Sequence, residues 1–268
     1  MSFAKRKPGY LLLLCALIDK QMEKYISGMP MWAILLFIAG FLYSISFIAN
    51  PAKRAALDAG MTPVGARNVQ FGIFGFYVLY LAYASLLALK GVFYSVSIPP
   101  KVIVFSALPL MVVLFIVVAN TKLFKTLLRS VSLESLISLH VFRLLGVFFL
   151  LLTIYKMLPL DFGIEGGAGD IITAIFAIPL ARRVAKKKPG SLTLVYIWNI
   201  FGALDIINIM VLAVVGAKKA MVTGDPGSME MTIFPFVWLP AFAPATILFL
   251  HYIIFRKLRQ DAQSNRSH

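Results

Sequence analysis

A single cysteine, Cys15, in 268 residues leaves no partner for an internal disulfide, which excludes a disulfide-framed scaffold. Charge is scarce and one-sided: 14% of residues are charged, 11 acidic against 26 basic, where a soluble domain carries about a quarter. Signatures of soluble catalysis are missing as well. There is no Gly-x4-Gly-Lys-Ser/Thr phosphate loop, no His-Glu-x-x-His metal pair and no Gly-x-Ser-x-Gly elbow, so a nucleotide-driven pump acting as one chain is excluded. The last apolar run, 233–255, holds no lysine, which excludes a rhodopsin-type Schiff base on it. No internal repeat supports an inverted-repeat transporter.

What the chain has in abundance is apolar sequence, 60% of residues, gathered into runs of about 20 that match the thickness of a bilayer core. Seven segments are expected to span: 30–49, 69–89, 102–119, 138–158, 168–182, 192–214 and 233–255. The fold class is therefore all-α, a transmembrane helix bundle occupying residues 1–268 as one unit. The fifth segment is short and needs the Gly-rich stretch before it. A weak apolar run at 9–27 follows Lys5-Arg6-Lys7 and resembles a signal peptide, but Asp19-Lys20-Gln21 stand where small cleavage-site residues belong. It is expected to be retained, as a short eighth helix or an interfacial segment.

The formal net charge of +15 first suggests nucleic acid, but the basic residues sit in clusters between apolar runs, so no nucleic-acid partner is expected. With the C-terminus cytoplasmic, inner loops hold Lys53, Arg54, Arg67, Lys122, Lys125, Arg129, the five basic residues of 182–188, and Arg256, Lys257, Arg259 and Arg266. Outer loops hold Lys90, Lys101, Lys156, Lys218 and Lys219. Fifteen against five is the positive-inside pattern. The clusters at 182–188 and 122–129 are expected to attract anionic lipid headgroups. Between spans three and four, Leu123, Phe124, Leu127, Leu128 and Val131 recur opposite Lys122, Lys125 and Arg129, predicting an amphipathic inner-surface helix over 121–131. A partner-binding helix is its alternative.

Ionisable groups inside spans are costly, so each is a candidate site residue. Arg143 lies roughly 9 Å from the inner end of its helix at 1.5 Å per residue, near enough to snorkel to the headgroups or to serve as an anion contact or gate. Asp205 and Asp170 lie roughly 20 and 18 Å deep by the same rise, beyond snorkelling reach. Asp170 follows Gly166-Gly167-Ala168-Gly169 and is expected to open and cap the fifth helix. Alternatively it pairs with Asp205 to share a proton or hold a cation. Trp198, Gly202, Asp205 and Ile209 share one helix face, with Asn208 about 60° away, and Asn199 and Asn208 are read as polar lining or interhelical glue. His140 and His251 lie at comparable depth near the inner ends of their spans, which leaves axial haem ligation as an alternative to hydrogen-bonded interfacial histidines. Gly167-Ala168-Gly169-Asp170 also matches the Gly-x-Gly-Asp element of intramembrane aspartyl proteases. There the other aspartate precedes the motif, whereas Asp205 follows it and has Leu204, not Tyr, before it.

His140-Val141-Phe142-Arg143, Leu158-Pro159 with Phe162, Gly169-Asp170, Trp198-Asn199 with Gly202 and Asp205, and Pro240-Ala241-Phe242 with His251 occur in order. Over residues 93–258 the chain resembles a family of uncharacterised bacterial multi-pass membrane proteins. That resemblance implies a bacterial cytoplasmic membrane and no established activity. Three functions are expected to compete. The first is transport of a small solute, proton or cation through Asp205, Asp170, Asn199, Asn208 and Arg143. The second is membrane-embedded chemistry by the Asp170/Asp205 pair, and the third a non-catalytic scaffold or sensor.

Overall fold

The computed structural model describes residues 24–224 and 227–264. Eight helices account for most of them. The order is α1 (Met31–Asp58), α2 (Pro63–Leu89), α3 (Ile103–Asn120), α4 (Lys122–Ser130), α5 (Leu133–Ile154), α6 (Leu160–Ala185), α7 (Ser191–Thr223) and α8 (Trp238–Ser264). All but α4 are long and apolar enough to cross a membrane. Backbone N–H and C=O groups have no partner in hydrocarbon, which is why the spanning segments are helical. The stretch at 9–23 lies outside the described residues. Tyr25 to Ser27 are not helical: Ile26 bridges Phe234, whose N–H donates to the Tyr25 carbonyl at 2.9 Å.

The last helix is the axis of the bundle. It touches α2, α3, α4, α5 and α7, and its face carrying Phe242, Ala245, Leu250 and Ile254 is buried. The neighbouring α6 packs between α5 and α7. It begins at Leu160, not at 168, so the glycine-rich stretch is helical. Glycine is unfavourable in a helix in water, but on α6 it lets Gly163, Gly166 and Gly167 lie against Phe149, Thr153 and Leu150 of α5.

Short α4 is amphipathic, though Leu123, expected on the apolar face, is exposed. Phe124 and Leu128 are buried, Lys122, Lys125 and Arg129 are exposed, and the Thr121 hydroxyl caps the start by accepting from the Phe124 N–H at 3.1 Å. At its other end, Lys257 Nζ on α8 donates to the Arg129 carbonyl at 3.1 Å, a cation on free carbonyls at a helix C-terminus. A groove of about 670 Å³, walled by apolar side chains of α1, α2, α4 and α8, lies beneath this helix and includes Leu139 and Leu250.

Candidate functional site

Helix α5 changes gauge where it crosses the bundle. Leu139–Gly146 forms a 3₁₀ stretch between two α-helical ends. With three residues per turn, side chains three apart eclipse one another, so His140, Arg143 and Gly146 line up on one face. That face meets α6, α7 and α8.

Arg143 is 1% exposed and does not snorkel. Its Nε–H donates to Asp170 Oδ1 and its Nη2 to Asp205 Oδ2, each at 2.6 Å. Nε and Nη2 share one edge of the planar guanidinium, so two carboxylates from different helices meet on that edge in place of one bidentate acid. On the opposite edge, Nη1 donates to the Gly202 carbonyl at 3.2 Å and lies 3.0 Å from His251 Nε2. Arginine has no acceptor, so His251 Nε2 must accept and its proton sits on Nδ1. From there it donates to Asn199 Oδ1 at 2.8 Å, while Asn199 Nδ2 donates to the His251 carbonyl at 3.1 Å. The chain of contacts thus fixes a neutral His251 in one tautomer.

Glycine makes this approach possible. A Cβ built on Gly169 would overlap Asp205 Oδ1 and Cγ, and one on Gly202 would stand 2.6 Å from His251 Cε1 and 2.8 Å from Arg143 Nη1. His140 completes the cluster. Its ring centroid is 4.4 Å from that of His251 and 5.1 Å from Trp198, it is fully buried, and neither ring nitrogen has a hydrogen-bond partner among the described residues. Trp198 donates its indole N–H to the Thr173 carbonyl at 3.0 Å, tying α7 to α6.

Several expectations change. Asp170 does not open a helix; it lies ten residues inside α6, and the acid of the first turn is Asp161, whose Oδ1 accepts from the Phe162 N–H at 2.9 Å. The cation held between the two aspartates is the protein's own Arg143. Asn208 does not line the cluster: it is exposed on α7, while Asn199 is fully buried. The two histidines are in ring contact, and both nitrogens of His251 are engaged, so no gap exists between them for a macrocycle. Each aspartate also commits one oxygen to a guanidinium, unlike a protease dyad built around one shared proton. The role of His251 was not legible from spacing, because the contact joins α5 to α8 across 108 residues.

Residues 98–259 match DUF8737, a domain of unknown function. The chain belongs to the DUF8737 family. The matched region runs from just before α3 to near the end of α8 and contains every member of the arginine cluster, whereas α1 and α2 precede it. No curated protein and no solved structure matches the chain. With seven apolar helices, this DUF8737 protein is a multi-pass membrane protein.

Proposed function

We propose that the protein moves a proton or a small cation across the membrane, with the Asp170/Asp205 pair as its binding site. The observation that carries this is the charge balance of the cluster. Two carboxylates face one guanidinium, and the remaining polar partners, His251, Asn199 and the Gly202 carbonyl, are neutral. With both acids ionised the cluster holds one net negative charge inside the membrane, where an uncompensated charge is costly. Binding one proton or one monovalent cation removes that cost, and release restores it. Asp170 Oδ2 and Asp205 Oδ1 have no hydrogen-bond partner among the described residues and are available for this.

Asp205 is the exchange site and Asp170 its more enclosed partner; Arg143 keeps the two together, and Asn199 and Trp198 hold His251 and the helix pair in place. The positive-inside bias supports an orientation with α4, the 182–188 cluster and the C-terminus in the cytoplasm, where exposed Lys122, Lys125 and Lys186 to Lys188 meet anionic headgroups. The resemblance to bacterial proteins supports the cytoplasmic membrane of a bacterium as the location. Proteoliposomes test the proposal: proton or cation flux from wild type is expected to fall at least tenfold in Asp205→Asn. Equal flux from both proteins would refute it.

A further inference from the structure

Above Asp170 lies a small cavity, about 80 Å³ in volume, between α6, α7 and α8 and the segment leading into α3. It opens toward the end of the bundle that carries the α2–α3 and α7–α8 connections, where Ser95, Ser97, Ser228 and Thr232 line it. Phe162, near the start of α6, lies toward that end; deeper in, the walls are Phe149, Ile206, Ile209 and Met210, and the acid there is Asp170. One Asp170 oxygen is taken by Arg143, its other oxygen has no hydrogen-bond partner among the described residues, and the residue is 4% exposed.

This combination selects among cations. A metal ion gives up its hydration shell only for several oxygen ligands, six or more for calcium or magnesium, and the deep cavity presents one acid among hydrocarbon and aromatic side chains. A cation that brings its own apolar surface has the opposite needs: one acceptor for its N–H groups and a dry wall for its carbon chain. A cavity needs about 10–15 Å³ to hold one water, so at about 80 Å³ this one has room for several waters or for a small organic molecule.

We propose that this cavity binds a small primary alkylammonium ion, its ammonium on Asp170 Oδ2 and its chain against Phe149, Phe162 and Ile206. The assignment rests on the cation-binding reading of the aspartate pair and names the class of cation. Entry is from the serine-lined end, and the bound ion supplies the positive charge that the cluster lacks.

The test is binding of radiolabelled n-hexylamine to the purified protein in detergent. Saturable binding is expected, displaced by unlabelled n-hexylamine but not by equal concentrations of n-hexanol, hexanoate or potassium chloride. Asp170→Asn should weaken binding at least tenfold. Because that change also disturbs the Arg143 ion pair, Ala213→Phe serves as a second variant: it fills the cavity from α7, leaves every charged residue in place, and should abolish binding. Displacement by n-hexanol as effective as by the amine, or full binding to Ala213→Phe, overturns the proposal. Asp205-dependent proton flux without amine binding overturns this inference and leaves proton transport standing; absence of both overturns the two together.

Discussion

Replacing Arg143 by methionine keeps an unbranched apolar stem and removes the cation that two aspartates, one histidine and one carbonyl share. Breaking a buried ion pair by deleting one partner costs about 3–5 kcal/mol, because the other charge is left uncompensated. An orphaned carboxylate can escape by binding a proton, which for an ordinary aspartate pKa near 3.9 costs about 4 kcal/mol at pH 7 and about 1.5 kcal/mol at pH 5. Two aspartates are orphaned here, so Arg143→Met is expected to lose at least about 4 kcal/mol at neutral pH and distinctly less at pH 5. Neutralising the whole cluster with Asp170→Asn and Asp205→Asn in the same chain should recover most of the loss, since uncharged replacements of a buried ion network are often neutral. Unfolding titrations of wild type, the single variant and the triple variant, at both pH values, provide the assay. A single variant within about 1 kcal/mol of wild type at pH 7, or a triple variant no more stable than the single, would show that the charges are not energetically coupled.

Gly169→Ala should lower flux as strongly as Asp205→Asn and cost about 1–3 kcal/mol, because the added methyl must displace the Asp205 carboxylate. Gly72→Ala and Gly75→Ala on α2, where a Cβ meets nothing within 4 Å, serve as matched controls and should leave both flux and stability near wild type. In the α7–α8 connection, desolvation by burial raises the Glu230 pKa above its ordinary value, and its Oε2 has no hydrogen-bond partner among the described residues. A carboxyl with a raised folded pKa favours the fold in its protonated form, so this contribution is present below the unfolded pKa and is lost as pH rises through the folded one. Glu230→Gln should therefore raise the unfolding temperature at pH 7 and leave it unchanged at pH 4, measured by thermal melts in detergent.

The helical class and the seven spans were legible because lipid leaves the backbone few alternatives: a long apolar run must be a helix, and its length follows from the bilayer. The amphipathic pattern of α4 was equally plain, since a 3.6-residue period separates Phe124 and Leu128 from Lys125 and Arg129 without reference to any neighbour. Cost alone singled out Arg143, Asp170 and Asp205, because ionisable groups in hydrocarbon are rare whatever they touch. The glycine-rich start of α6 misled for a reason of the same kind: helix propensity in water counts against Gly166-Gly167-Ala168-Gly169, while in the bundle close packing against α5 favours it.

Which polar residues meet was decided only by tertiary structure. Asn199 and Asn208 are both amides on α7, yet one bonds His251 and the other is exposed; the difference lies in where α8 packs. Snorkelling and burial were equally open to Arg143 on its own helix, and the choice was made by acids brought from α6 and α7. Local sequence determines what each segment costs in lipid, because that cost depends on the segment and the solvent alone. The partners that offset it come from residues 27 to 108 positions away, and only the packing of four helices brings them within hydrogen-bond reach.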